Sequence, residues 1–212
     1  MGARPDVEDE VRRRVQDGDR DGATTAALKG YGQEVLELLG ALHRNEGDDA
    51  SEVFALFAEG VWRGLERFEW ESSLRTWLYA VARRSSLRYR RDGRRRAARE
   101  QALPEGSNAS ILVAKLRSKT GSIFRTERRS RVAALRDSLP AEDQTLLMLR
   151  VDRQLAWNEL ACVMNDDAAP LQGEDLKREA ARLRKRFQLV KDRLHELAVK
   201  EGLVPPRSKD AT

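Results

Sequence analysis

Aromatic and basic side chains alternate in the middle of the chain, from Arg67 to Arg84, in the string RFEWESSLRTWLYAVARR. Aromatic faces can stack on bases while guanidinium groups hold the phosphate backbone, and together they can grip a single strand of nucleic acid. Trp77 also falls on an apolar helical face, where a core position is the better interpretation. Trp70 lies in a predicted loop, so we expect it to be the better contact for a ligand.

A second set of basic side chains lies on the last predicted helix, where six of them fall between positions 177 and 186. Two short predicted helices and a loop precede this helix, which is the layout of a helix-turn-helix. In that motif the second helix enters the major groove, where Lys and Arg contact guanine or phosphate. The alternative interpretation is an amphipathic bundle helix whose basic side faces the solvent.

Charge is distributed unevenly along the 212 residues, although the net charge is only +5. Residues 1–74 carry a net charge of −8, residues 75–99 carry +9, and residues 100–212 carry +4. An acidic block followed at once by an arginine block predicts two different partners on neighbouring surfaces, one of them rich in phosphate. A solvated, arginine-rich helix end that runs into a linker would give the same pattern.

Composition argues against an enzyme, a metal protein and a membrane protein. The single cysteine, Cys162, excludes an internal disulfide and a cysteine-based metal cluster, and the two histidines, His43 and His195, are far apart in sequence. Neither a pair of carboxylates at a defined spacing nor a glycine-rich phosphate loop is found. We therefore expect no catalytic residue, no metal, no cofactor and no small-molecule substrate. Since no apolar run approaches the roughly 18 residues of a membrane helix and no signal sequence is evident, we predict a cytoplasmic protein without a membrane partner.

Apolar residues recur in steps of three and four, and no stretch alternates like a strand, so an all-α fold is predicted. Three helices, at about 24–44, 50–67 and 73–91, are expected to share one core and to form a first small domain over residues 24–91. Residues 92–130 are predicted to be a flexible linker with at most one short helix. Residues 131–200 are predicted to form a second small helical domain with the helix-turn-helix. Residues 1–23 and 201–212 are expected to be disordered.

Two groups of residues resemble a known family. Residues 49–52 (DASE), Trp62, residues 65–68 (LERF) and the string SLRTWLYAVAR at 73–83 closely resemble region 2 of bacterial sigma factors. Residues 135–140, Leu155, residues 159–161 and residues 176–177 resemble region 4. The resemblance is to the small extracytoplasmic-function (ECF) group, which keeps only regions 2 and 4.

The resemblance implies a subunit that binds core RNA polymerase and directs it to promoters. Region 2 would bind a coiled coil of the largest polymerase subunit and would contact the −10 promoter element. There an unstacked base is captured, and extruding it costs a few kcal/mol. Region 4 would place its second helix in the major groove of the −35 element. The implied partners are core RNA polymerase and promoter DNA, double-stranded and melted, with an anti-sigma factor as a further candidate.

Matching the chain to the family motifs, position by position, gives candidate residues for each contact. Those expected at the −10 element are Arg67, Trp70, Ser72, Ser73, Arg75, Thr76, Tyr79, Arg83, Arg84 and Arg88. Those expected at the −35 element are Glu174, Lys177, Arg178, Arg182 and Lys185. Those expected to bind polymerase are Asp49, Glu52, Val53, Leu56 and Glu59.

Two other functions fit the same residues. A helix-turn-helix regulator would bind duplex DNA tightly without polymerase, and a sigma-like protein-interaction module would bind polymerase or an anti-sigma factor without reading DNA. The chain departs from the family pattern in two places that keep these alternatives open. Ala55, Leu56 and Ala58 stand where the family usually has a Gln-Glu pair and a Phe, and the acidic turn from Asn165 to Gly173 is longer than usual.

Overall fold

The computed structural model describes residues 4–43, 49–92, 106–127, 131–166 and 170–205. Within these ranges the chain forms helices and turns and contains no strand, which confirms the all-α prediction. The first unit contains helices α1 (Pro5–Gln16), α2 (Arg20–Leu42), α3 (Asp49–Gly64) and α4 (Leu74–Asp92). A short 3-10 turn, Leu65–Arg67, follows α3. The three predicted helices of the first domain therefore correspond to α2, α3 and α4.

Helix α2 is the centre of this unit and packs against α1, α3 and α4. Leu28, Val35 and Leu39 are buried along it, as their spacing predicts. Phe54 and Phe57 of α3 are also completely buried, and their ring centroids lie 5.5 Å apart. This core fixes the direction of α3 and the start of α4, and with them the loop that joins the two helices.

The prediction that residues 1–23 are disordered is wrong for residues 5–16, which form α1, and for residues 20–23, which begin α2. Val7, Val11 and Val15 are spaced by four residues and pack on the core, and Val11 is fully buried. Pro5 stands at the start of the helix, where its missing N–H costs nothing. Gly30 of α2 faces Val7 so closely that a Cβ atom would lie 2.6 Å from its Cγ1, and its lack of a side chain permits the close approach of α1.

The predicted linker also contains more structure than the sequence analysis expects. Residues 108–127 form a helix of 20 residues, α5 (Asn108–Glu127), which packs against α2 and α3. The backbone N–H groups of Asn108 and Ala109 donate to the carboxylate of Asp21 at 3.2 Å, so a residue of α2 caps α5. Val113 is buried in the shared core. Residues 93–105 of the predicted linker lie outside the described residues.

The second unit contains α6 (Arg131–Asp137), α7 (Ala141–Leu147), α8 (Trp157–Met164) and α9 (Gly173–Lys200), with a π turn at Met148–Asp152 after α7. Leu146, Leu149, Leu160 and Leu183 are fully buried and form its core. The order of α8, a turn and α9 follows the predicted helix-turn-helix layout. Of the tail expected to be disordered, residues 201–205 form a turn, and residues 206–212 lie outside the described residues.

One contiguous apolar core runs through both units, from Val11 in α1 to Leu183 in α9. Helix α4 packs along α8, and α2 contacts α7. The two units therefore lie against each other, and the face of α4 that carries Arg75, Thr76 and Arg83 meets the second unit.

Candidate nucleic-acid interface

Three aromatic rings form a cluster, here called the aromatic stack, at the loop that joins the 3-10 turn to α4. The rings of Phe68 and Trp77 are stacked, and the Trp70 ring is tilted by 42° against Phe68. Phe68 lies between Trp70 and Trp77, with ring centroids 4.8 Å and 5.0 Å away, and all three rings are only partly buried. Trp70 has a φ of 60°, a left-handed conformation that costs of order 1–3 kcal/mol in a residue other than glycine. Strain of this kind clusters at ligand sites. The stack offers the type of surface on which a base can pack.

Helix α1, which lies outside the predicted domain, contributes two side chains to this loop. The Cζ of Arg12 lies 4.5 Å from the ring centroid of Trp70, within cation–π distance. Glu8 accepts hydrogen bonds from the backbone N–H groups of Leu74 and Arg75, and so it stabilises the N-terminus of α4. Burial raises the pKa of Glu8 above its ordinary value. Neither residue is among the predicted site residues, because residues 1–23 are predicted to be disordered. The four-residue spacing of Val7, Val11 and Val15 is the sequence signal that indicates this helix.

Two of the predicted −10 residues, Ser73 and Thr76, organise the first turn of α4. The hydroxyl of Ser73 accepts from the backbone N–H of Thr76 at 3.1 Å, which is an N-cap contact. The Thr76 hydroxyl is buried and donates to Glu159 Oε1 of α8 at 3.2 Å. The Ser72 hydroxyl donates to the Ser73 carbonyl at 3.3 Å. In this conformation Ser73 and Thr76 serve the helix start and the contact between units.

A groove of about 490 Å³ opens beside the aromatic stack, between the two units. The first unit lines it with side chains that could hold a nucleotide, and the second unit closes its other side. The lining side chains of the first unit include Arg67, Phe68, Ser72, Trp77 and Arg84, and those of the second unit include Cys162, Leu171 and Leu176. Burial and the adjacent charge of Arg83 lower the pKa of Arg84. The groove thus combines aromatic surface with two arginines, as the sequence pattern predicts for a nucleic-acid interface.

Arg75 and Tyr79 do not face the solvent, which contradicts their predicted role as surface contacts in this conformation. Their exposed fractions are 5% and 1%. Arg75 donates to Glu34 Oε2 through Nε and Nη2, both at 3.1 Å, and the hydroxyl of Tyr79 donates to the same oxygen at 2.6 Å. A buried guanidinium requires a buried counter-charge, and Glu34 of α2 provides it. Burial and the bond to Glu34 raise the pKa of Tyr79.

Arg83 is also buried, with 3% of its surface exposed, although it was predicted to hold a phosphate. Its Nη1 lies 2.6 Å from Asp166 Oδ1, and its Nη2 lies 3.0 Å from Glu142 Oε2. Both carboxylates belong to the second unit. The bond to Arg83 lowers the pKa of Asp166. Of the predicted phosphate contacts on α4, Arg88 is exposed and Arg84 reaches the groove.

Comparison with known families bears directly on this site. Residues 28–96 match Sigma-70 region 2. The match begins in α2 and runs past the end of α4, so it covers the aromatic stack, the groove-lining arginines and the buried cluster around Arg75. The match covers less than half of the chain, and it shows that these residues are similar to Sigma-70 region 2. No curated protein and no solved structure matches the chain.

The residues of region 2 that were predicted to bind polymerase lie on α3, but they are not equally accessible. Val53 is completely buried among the core residues, so its predicted contact with a partner is wrong in this structure. Glu59 is 7% exposed and pairs with Arg63 at 2.5 Å. Glu52 is exposed and accepts from the Tyr89 hydroxyl at 3.0 Å.

The two remaining predicted polymerase contacts, Leu56 and Asp49, also lie on α3. Leu56 is partly exposed, and α3 begins at Asp49, whose side chain lies outside the described residues. Helix α5 lies next to this surface, since Arg117 Nε donates to the Ser51 hydroxyl at 2.6 Å. The accessible part of the predicted polymerase surface is therefore the side of α3 that presents Glu52 and Leu56.

The residues predicted to read the −35 element are exposed on the first half of α9. They are Glu174, Lys177, Arg178, Arg182 and Lys185. Lys177 pairs with Glu174 at 2.7 Å, and Arg178 pairs with Asp175 at 3.1 Å. Pairs between exposed side chains are worth about 0–1 kcal/mol, so phosphate can replace such carboxylates at little cost. The cations of α9 thus remain accessible to DNA.

Metal sites and membrane spans are both absent from the residues that the structure describes. No cluster of three or more His, Cys, Asp or Glu side chains there has a metal-binding arrangement. In the same part of the chain, no helix combines the length and the apolar character that crossing a bilayer requires.

Proposed function

We propose that this chain is a sigma factor of the ECF group, which binds core RNA polymerase and directs it to promoters through −10 and −35 contacts. The observation that carries the proposal is the coincidence of the region 2 match at residues 28–96 with the stacked rings of Phe68, Trp70 and Trp77. A base leaving the duplex needs a surface to stack on, and this loop supplies one beside Arg67 and Arg84.

The second unit supports the proposal through its layout. Helix α8 is short, and α9 follows it with exposed cations at its N-terminal end. In a helix-turn-helix the N-terminal residues of the second helix contact base edges. Under the proposal Lys177 and Arg178 contact the −35 element, and the segment between α4 and α6 sets the distance between the two DNA sites. The protein makes and breaks no covalent bond, and it acts in the cytoplasm, where the polymerase is.

Transcription by purified components tests the proposal. The full chain is incubated with bacterial core RNA polymerase and fragmented bacterial genomic DNA, the complex is isolated, and the bound DNA is sequenced to find a promoter. Run-off transcription from that DNA then measures initiation. We expect a stable complex with core polymerase and initiation from a defined start site only when the chain is present. Absence of both core binding and stimulated initiation would overturn the proposal.

A pair of matched variants locates the polymerase contact. Leu56→Asp places a charge on the accessible side of α3 and should reduce co-purification with core polymerase. Leu189→Asp makes the same change at a side chain of α9 that is 70% exposed and should leave co-purification unchanged. Tight, specific binding of duplex DNA by the free protein, without polymerase association, would instead favour a regulator that acts alone.

A further inference from the structure

Arg83 links the two units through hydrogen bonds from both of its terminal nitrogens. Its two terminal nitrogens are held by Asp166 at 2.6 Å and by Glu142 at 3.0 Å. Asp166 lies in the long turn between α8 and α9, and its side chain is 71% exposed, whereas the side chain of Arg83 is 3% exposed. Two carboxylates of the second unit thus bind the guanidinium group. Phosphate oxygens bind a guanidinium group through the same kind of charge-assisted hydrogen bonds.

Other polar contacts hold the same two faces together. Thr76 donates to Glu159 at 3.2 Å, and Arg75 Nη2 donates to the backbone carbonyl of Arg153 at 3.2 Å. Arg153 in turn donates to Glu37 of α2 at 3.0 Å. A fourth contact closes the far side of the groove, where Gln172 Nε2 donates to Glu71 Oε1 at 3.0 Å. Three of the predicted −10 residues, Arg75, Thr76 and Arg83, are therefore bonded to the second unit.

We propose that Asp166 and Glu142 form an autoinhibitory latch, which holds the second unit over the promoter-binding face of α4 by taking the place of DNA phosphates at Arg83. This inference rests on the proposed function for the identity of the competing ligand. DNA and the second unit cannot occupy Arg83 together, so binding of the melted strand requires the latch to open.

The latch makes the affinity for DNA depend on the fraction of molecules that are open. When only a fraction of the protein is competent to bind, the apparent dissociation constant rises by the inverse of that fraction. Asp166 is the accessible half of the contact, so a phosphate that approaches from the solvent can replace it before Glu142 is released. Asp166, which lies just after α8 in the described part of the chain, therefore supplies the accessible half of the latch.

The only cysteine of the chain reports on the latch without any added probe. Cys162 lines the groove between α8 and α4, and its thiol is partly buried there. Burial raises the pKa of this thiol, and the nearby charges of Glu159 and Glu71 raise it further. Opening of the latch exposes the thiol and lowers its pKa. Each unit by which the pKa falls gives about ten times more thiolate, the form that reacts with maleimide.

The test compares Asp166→Asn/Glu142→Gln with the wild-type full chain. The rate of Cys162 modification by N-ethylmaleimide is followed by mass spectrometry, and binding of a fluorescein-labelled, mixed-sequence single-stranded DNA is followed by anisotropy. We expect the double variant to react about tenfold faster and to bind the oligonucleotide several-fold more tightly. Small-angle X-ray scattering should show a larger radius of gyration, while far-UV circular dichroism shows unchanged helix content.

A charge-matched control separates opening from a simple gain of positive charge. Asp152→Asn/Glu196→Gln removes the same two charges from exposed positions of the second unit that do not touch the first unit. This control should leave the Cys162 rate at the wild-type value. The single variant Asp166→Asn, at an exposed side chain, repeats the test with little risk to folding.

The outcomes distinguish the latch from the function on which it rests. An unchanged Cys162 rate in both latch variants overturns the latch, while the transcription assay still decides the proposed function. A faster Cys162 reaction without any gain in DNA binding overturns autoinhibition, because the exposed face of α4 then does not bind DNA. A faster reaction with tighter DNA binding, both absent in the control, supports the latch.

Discussion

The guanidinium of Arg12 lies over the indole ring of Trp70, at 4.5 Å from the ring centroid. The two residues are far apart in sequence, and only the docking of α1 on α2 brings them together. Trp70 in turn contacts Phe68, so the cation closes one end of the aromatic stack. Helix α1 precedes the region 2 match, yet it contacts the loop that we propose as the promoter-melting surface.

Replacing Arg12 by Ala should therefore weaken binding of single-stranded DNA, because Trp70 loses a partner that holds its ring in place. An exposed cation–π pair is worth about 0.5–1 kcal/mol, which corresponds to a two- to fivefold weaker affinity. Anisotropy with a labelled single-stranded oligonucleotide measures the effect, and Arg12→Lys should restore part of it. Arg13→Ala, one position along the same helix and also exposed, serves as the control. An equal loss in that control would show that only the total charge of α1 matters.

Replacing Trp70 by Ala should reduce promoter opening while leaving assembly with core polymerase intact. Stacking of a base on an aromatic side chain is worth about 1–3 kcal/mol, so we expect opening to fall by roughly five- to 150-fold. Permanganate footprinting of the promoter measures opening, and co-purification measures assembly. Trp70→Phe keeps a ring and should retain most of the activity. Full opening by the alanine variant would contradict the assignment of Trp70 to the melted strand.

The sequence predicts the helices of the first unit well because their apolar residues follow a regular period. Steps of three and four residues place Leu28, Val35 and Phe57 in the core, and the structure buries all three. The same pattern identifies the loop with Trp70, since apolar spacing stops there and polar residues begin. Local periodicity is thus sufficient for the element that carries the candidate site.

Contacts between distant segments explain what the sequence analysis missed. Arg75 and Arg83 are cationic residues near aromatic ones, which is also the pattern of an exposed interface, and nothing in the local sequence shows that Glu34 and Asp166 will meet them. Helix α5 is stabilised by a cap from Asp21, almost ninety positions away. Composition alone makes that segment resemble a linker. Burial of charge depends on the partner that tertiary packing supplies, so it cannot be read from spacing.

Glu8 gives the stability of the chain a specific dependence on pH. Burial raises its folded-state pKa above the ordinary value of 4.5, so the folded protein binds this proton more tightly than the unfolded chain does. The stability that Glu8 contributes is therefore fully present below pH 4.5 and is lost as the pH rises through the raised pKa. Relative to the variant Glu8→Gln, which does not titrate, the wild type should lose stability between pH 4.5 and neutral pH.

Urea unfolding at several pH values measures this difference in the free energy of unfolding. Glu196→Gln, at an exposed position of α9, should follow the wild type across the same range. A constant difference between the wild type and Glu8→Gln would show that burial of Glu8 does not outweigh the backbone hydrogen bonds that stabilise its carboxylate.

The cations of α9 should control the salt dependence of binding to duplex −35 DNA. Each phosphate contact that is removed lowers the slope of log K against log salt by about 1, so Lys177→Ala/Arg178→Ala should lower it by about 2. Affinity at low salt should fall as well. Arg193→Ala/Lys200→Ala removes the same charge from the other end of α9 and should change the slope much less. Equal slopes in the two double variants would indicate that α9 binds DNA only through its total charge.

Arg75 should be essential for stability, because it pairs with Glu34 in the core of the first unit. The two side chains are 6% and 7% exposed, and Glu34 Oε1 has no hydrogen-bond partner among the described residues. Removing one member of a buried ion pair costs about 3–5 kcal/mol, and the cation that would remain near Glu34 is Arg4, whose Nη2 lies 4.0 Å from Oε1. Arg75→Met should lower the free energy of unfolding in urea by that amount.

The double variant Glu34→Gln/Arg75→Met provides the control, because it removes both charges and leaves hydrogen-bonding groups for Tyr79. It should lose less stability than Arg75→Met alone, since replacing both partners of a buried pair is often close to neutral. A stabilising difference between the double and the single variant measures the cost of the unpaired carboxylate. If Arg75→Met lost less than about 1 kcal/mol, as an exposed pair would, Arg75 would lie at the surface and be available to DNA without any opening of the two units.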